Sequence, residues 1–282
     1  MLSAVVLASG LFSLTVGERE ALVCPPQQYY QCLAEVPQTL RRDFPQSSEG
    51  VRQALGLRAA MAMPIDDNHF AGIILWAPKR LPSSISALWN DTVYQLPLQQ
   101  QAQLTLWHEL GHLEIKRLQR QNLLPQTLST LEHEWLADAY MVWRSVQETG
   151  ELTLAQQQLD RRNMAVFADI KNFSHWTALY LNQAVEQLDA QQVQHQPFAP
   201  WLVNLYQHTQ QYNEDELQEF SGLLQRLFGM GRSQSLPDYM SWRRPTLGQV
   251  LAPTLRRVMG ISAANQWMTE QNLLPKQSAA RQ

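Results

Sequence analysis

The 282-residue sequence predicts an α+β protein in which helix predominates, with a small β-sheet placed just ahead of one long helix. Three observations carry this. Apolar residues recur at helical spacing, with few internal breakers, through most of the chain beyond Pro97. Short β-rich runs bounded by turn residues are concentrated between Ser48 and Pro97. A length of 282 residues with 45% hydrophobic content is enough for a substantial core. The net charge of −3 and the dispersal of the pairs Arg41-Arg42, Arg161-Arg162, Arg243-Arg244 and Arg256-Arg257 leave no basic footprint, so nucleic acid is not an expected partner.

The chain divides on this basis into residues 1–22, 23–150 and 151–282. Met1 to Gly17 is apolar but too short to span a bilayer. It has the character of the central region of a secretory signal, without a basic start or a small-x-small cleavage site, so 1–22 is expected to be a signal or N-terminal hydrophobic segment. A lipid-anchored Cys24 is a poor reading, because Glu18, Arg19 and Glu20 interrupt the apolar run. The two cysteines of the chain, Cys24 and Cys32, form an isolated even pair that suits a disulfide in an oxidising compartment. Periplasmic or secreted placement with no stable membrane span is the expectation. The alternative is a cytoplasmic protein with two free thiols.

Between Ser48 and Pro97, the runs Leu57 to Ile65 and Gly72 to Pro78 read as strands, as does the alternating Asp91 to Leu98. From Pro97 onward a helix is expected. Leu104, Trp107, Gly111 and Leu118 fall on one face, Leu106, Leu110 and Leu113 on the adjoining one. Gly111 costs about 1 kcal/mol of helix propensity relative to Ala, which calls for a close backbone approach. A loop around Asn122 to Thr127 then allows a second helix, Ser129 to Gln147, to return antiparallel and stop before Gly150. Ser129-Thr130-Leu131-Glu132 reads as a capping box at its start. Further helices are expected over Leu152 to Ile170, His175 to Gln192, Phe198 to Tyr212, Glu214 to Phe228 and Leu247 to Met259. Gly229 and Gly260 act as stops, and 275–282 is a polar tail.

The first long helix carries Trp107-His108-Glu109-Leu110-Gly111-His112. Residues four apart share a helix face, so His108 and His112 can offer two imidazole nitrogens to one metal ion, with Glu109 beside it. Catalytic zinc takes three protein ligands and a water whose pKa falls to about 7, and a neighbouring carboxylate serves as general base. Glu134, on the return helix, is the third candidate ligand. Asp138, one turn further along the same face, is placed to accept a hydrogen bond from the far nitrogen of a ligand histidine. Glu132 competes with Glu134, but its place in the capping box gives it another role. Simpler readings stand beside these. The histidines could be a satisfied core pair, His133 a surface residue or one that backs a ligand, and Glu114 a solvated one, while Trp107 and Trp135 pack the core.

His108-Glu109-Leu110-Gly111-His112 followed by Glu134-Trp135-Leu136-Ala137-Asp138 resembles the gluzincin pattern of thermolysin-like zinc peptidases, H-E-x-x-H and then E-x-x-x-D. The likeness is confined to residues 108–138. Leu113, Glu114 and Ile115 lack the glycine and third histidine of the metzincin pattern. The resemblance implies a zincin-like catalytic core over 23–150, with His108, His112 and Glu134 as zinc ligands, Glu109 as base and Asp138 as support. It also implies hydrolysis of peptide bonds in a peptide or protein substrate held along a sheet edge. It further calls for a group to stabilise the oxyanion, for which His175 is the first candidate and Tyr140, Tyr180 and His208 are alternatives. The rival from another class is a non-catalytic metal-bound binding or regulatory module in which the zinc is structural. The part from 151 to 282 is expected to be helical and packed on the core.

Overall fold

A computed structural model describes residues 10–229 and 232–274. Strands β1 (Phe12–Val16) and β2 (Arg19–Cys24) precede helices α1 (Tyr29–Glu35) and α2 (Ser48–Leu55). Four strands follow: β3 (Ala60–Pro64), β4 (Phe70–Trp76), β5 (Ser84–Trp89) and β6 (Thr92–Pro97). The remainder is helical: α3 (Gln101–Arg120), α4 (Thr130–Thr149), α5 (Thr153–Ala168), α6 (Ala178–Gln187), α7 (Ala190–Gln194), α8 (Phe198–His208), α9 (Glu214–Phe228), α10 (Arg244–Met259) and α11 (Ile261–Glu270). The α+β class with helix predominating is therefore as expected.

These elements form two compact units. The first holds the residues up to Ser83, Gln99–Leu152 and Asp189–Gln207, and the second holds Ser84–Leu98, Thr153–Leu188 and the chain from His208. The expected boundary at 150 lies close to one of these limits. The hairpin at 84–98 and the segment at 189–207 change sides because their partners lie far away in sequence.

In the first unit the sheet has the order β1-β2-β4-β3, with β2 parallel to β4 and the other pairs antiparallel. Leu22, Cys24, Ile73 and Leu75 join Tyr29, Cys32, Leu33 and Val36 around α1 and Val51 and Leu55 of α2 in one apolar cluster. Helix α3 packs against β3 and β4 as well. All seven residues of β4 are buried, which is why its sequence is a continuous apolar run instead of an alternating one.

Part of the signal-like segment is strand. Residues 12–24 make a hairpin that turns at Gly17, where φ is 61°, and β2 is an interior strand. Ala21, Leu22, Val23 and Cys24 of β2 are buried, which accounts for its apolar end. Residues 1–9 of that segment lie outside the described residues. Cys24 and Cys32 are joined in a disulfide that ties the end of β2 to α1, with both residues fully buried. Among the described residues no helix is long and apolar enough to cross a membrane.

In the second unit β5 and β6 form a separate two-stranded sheet. Asn90 and Asp91 make its turn, with φ of 50° and 58°. The strand predicted at Asp91 to Leu98 thus exists, but it pairs with Ser84–Trp89 and not with the larger sheet. Trp89 meets Phe167 of α5 and Phe228 of α9 edge-on, at 5.5 and 5.4 Å. The helix expected over His175 to Gln192 is broken near Leu188, because the Asp189 side chain accepts from Gln191 and Gln192 and starts α7. A further helix, α11, follows Gly260.

Candidate metal centre

Helix α3 begins after Gln100, which takes a left-handed φ of 52°, and not at Pro97, which closes β6. Helix α4 starts with the expected capping box. Glu132 N donates to Ser129 Oγ at 3.2 Å, and Ser129 N donates to Glu132 Oε2 at 2.7 Å. The two helices are held close by Gly111. A Cβ there would sit 2.8 Å from both the Cα and the carbonyl oxygen of Ala137. That contact accounts for a glycine in mid-helix, as its propensity cost predicts.

The close approach brings His108, His112 and Glu134 together, with one ligand atom from each lying within 4.8 Å of the others. His108 Nε2 is 3.4 Å from Glu134 Oε2, and His112 Nε2 is 3.8 Å from Glu134 Oε1. The imidazole rings stand nearly perpendicular, with centroids 4.8 Å apart. Nitrogen and oxygen atoms about 2 Å from a tetrahedral zinc are roughly 3.3 Å apart, so this group could hold a metal ion once its donors draw together.

Asp138 is fully buried, and its Oδ1 lies 2.8 Å from His108 Nδ1. In the neutral ring, a proton on Nδ1 facing this carboxylate leaves the Nε2 lone pair turned toward Glu134 and His112. Glu109, 8% exposed, points elsewhere, with its Oε2 accepting from the backbone N–H of Ala62 in β3 at 2.6 Å. The donor set is therefore two histidines and one carboxylate, with a second carboxylate adjacent but occupied by the sheet.

Burial shapes the protonation of this group. It pulls the His108 pKa down, but the carboxylates of Asp138 and Glu134 outweigh it and lift the value to about 9. Burial and the neighbouring His108 charge push His112 down to about 3. Glu109 is raised, first by burial, against the opposing pull of His108, the Ala62 N–H and Arg58. One imidazole of the metal-free cluster is thus charged and its neighbour neutral.

His108, Glu109, His112, Glu134 and Asp138 therefore come together. Glu132 does not join the ligands, because besides the capping box its Oε1 accepts from Tyr206 at 3.0 Å. His175 belongs to the second unit, in a 3-10 turn at Ile170–His175, where its Nδ1 is 2.9 Å from Ser174 Oγ. Tyr180 and His208 also lie in that unit. Tyr140 is buried in the first unit, with its ring edge-on to Phe198 at 4.8 Å. Sequence reasoning did not find the Ala62 amide, which lies 47 positions from Glu109 and has no side-chain signature. Comparison with family models, curated proteins and solved structures finds no match to this chain. The resemblance therefore rests on residues 108–138 alone.

Proposed function

We propose that this chain is a zinc-dependent peptidase of the gluzincin type, with a zincin-like core built around α3, α4 and the larger sheet. The supporting observation is the convergence of His108, His112 and Glu134 beside a buried Glu109. Zinc held by these three residues would supply a Lewis acid that acidifies a water and polarises a carbonyl. The chain's own groups do the rest. Asp138 fixes the His108 ring. Glu109, whose pKa burial raises, takes a proton on a carboxylate oxygen and delivers it to the departing amine.

The substrate in this reading is an extended peptide on the outer edge of β3. In the β3–β4 register, Met61 and Met63 lie opposite Leu75 and Ile73, and the flanking bonds Ile65 N to Ala71 O and Ala77 N to Ala59 O show that odd-numbered residues face β4. The polar groups of Ala60, Ala62 and Pro64 therefore face away from β4; Ala60 is buried and Glu109 holds the Ala62 N–H, which leaves the carbonyls of Ala62 and Pro64 for an added strand. The Cys24–Cys32 disulfide agrees with work in an oxidising compartment, periplasmic or extracellular.

Metal analysis of the purified protein together with Glu109→Gln in a peptide-library cleavage assay tests this. About one zinc per chain and loss of hydrolysis with zinc retained are expected. A protein without stoichiometric zinc would overturn the reading. The anchoring of Glu109 by Ala62 also suits a structural metal in a binding module, and a Glu109→Gln chain that still complements a deletion strain would favour that alternative.

A further inference from the structure

Arg19, the first residue of β2, is only 6% exposed. Its Nη1 donates to the Asp67 carbonyl oxygen at 3.4 Å, but its Nε and Nη2 are buried and find no hydrogen-bond partner among the described residues. Arg120 of α3 donates to the same Asp67 oxygen through its own Nη1, so two guanidinium groups converge on one neutral atom. A third stands close by. Arg117, three positions earlier on α3, lies against the β1–β2 turn, where a Cβ on Gly17 would come 2.6 Å from its Cδ. The acids of this corner are engaged elsewhere. Glu114 Oε2 accepts from Arg117 Nε at 2.6 Å, and Asp66 Oδ1 lies 3.0 Å from Arg120 Nε. The Asp67 carboxylate accepts the backbone N–H groups of His69 and Phe70, each at 2.8 Å. Among the described residues, no carboxylate forms an ion pair with Arg19.

A buried guanidinium without a counter-charge is strongly unfavourable, and arginine does not shed its proton to relieve the strain. The two idle donors also belong together. Nε–H and Nη2–H lie along one edge of the planar fork and point in parallel, a geometry that two oxygens on one central atom fill at once. Arg117 and Arg120 add positive potential at the same corner. We propose that the Nε/Nη2 edge of Arg19 binds a small oxyanion of the sulfate, phosphate or carboxylate kind, beside the loop Asp66–His69. That edge is closed to solvent, so the ion enters as the loop lifts, and a free ion is admitted where a folded partner is not. Neither zinc nor the peptidase reading enters into this site.

Equilibrium dialysis of the full-length protein against labelled sulfate tests this, with urea midpoints at constant pH and ionic strength as a second readout. About one sulfate per chain is expected, with a Kd of about 0.1–1 mM. Unlabelled phosphate and acetate should displace it, and their relative strength identifies the preferred class. Chloride, a single atom, should compete about fivefold more weakly or worse. Arg19→Gln should weaken binding at least about tenfold, while Arg19→Lys, which keeps the charge and loses the fork, restores part of it. The urea midpoint should rise with sulfate and then level off. In Arg19→Gln only the gradual, unsaturating rise remains that sulfate gives any protein by exclusion from its surface. Absence of bound sulfate, equal displacement by chloride, or binding unchanged in Arg19→Gln overturns the proposal. If Arg19→Gln does not fold, His112→Ala decides in its place: sulfate lost with the metal ligand belongs to the metal centre and overturns the proposal, and sulfate retained supports it.

Discussion

His108 Nδ1 lies 2.8 Å from Oδ1 of the fully buried Asp138, thirty positions away on the neighbouring helix. The carboxylate has no access to water, so its partner imidazole decides both its charge and the direction in which Nε2 points. Asp138→Asn removes the charge and leaves the shape. Zinc affinity, measured by competition with a chelator, should fall about 10- to 100-fold. Unaltered affinity would show that Asp138 does not orient the ligand.

The same pair makes the metal-free protein pH-sensitive. The folded His108 pKa of about 9 lies above its ordinary 6.5, so the stability gained is complete below about pH 6.5 and is lost as pH rises through 9. His112, depressed to about 3, adds stability as pH rises from 3 to 6.5 and is level above that range. Glu109, raised by burial, loses its contribution on the way up, as His108 does. In the presence of a chelator, urea midpoints should therefore fall between pH 6.5 and 9, and less steeply in Asp138→Asn. Zinc affinity should climb over the same interval, because the metal displaces the His108 proton.

Gly111 is required by packing. Alanine would gain about 1 kcal/mol of helix propensity, but its Cβ would press on the Ala137 backbone at 2.8 Å. Overpacking of this kind costs about 1–3 kcal/mol, so Gly111→Ala should lower stability in denaturant melts and separate the ligand helices. Weakened zinc binding is expected alongside. A stabilised variant would refute this account of the close approach.

The disulfide joins residues eight positions apart, between β2 and α1. Closing so short a loop is worth roughly 2–3 kcal/mol by chain entropy. Cys24→Ser with Cys32→Ser should lose about that much. The metal site, built on α3 and α4, should keep its ligand geometry, as read by cobalt substitution spectra. Equal stability of the two forms would remove the argument for an oxidising compartment.

Much of the site was written locally. His108, Glu109 and His112 are related by one helical turn, Ser129 and Glu132 by a capping box, and Glu134 and Asp138 by another turn, and each relation depends only on helix periodicity. The pairing of those turns was also foreshadowed, since Gly111 in mid-helix asked for a neighbour and Ala137 is that neighbour. Strands were harder to read, because a strand's character depends on what covers it. Phe12–Val16 lies inside the signal-like run and Arg19–Cys24 just beyond it, yet the two form a hairpin whose second strand pairs with β4. Thr92–Pro97 was legible as a strand, but its sheet was not.

The sequence alone determined that His108 and His112 stand together, because imidazoles four apart on a helix share a face whatever surrounds them. Only the tertiary structure decided that Glu109 rests on the Ala62 amide and that His175 belongs to a separate unit. The bond from Ala62 to Glu109 links residues 47 positions apart through a backbone group that every residue but proline carries alike, so no side-chain pattern encodes it.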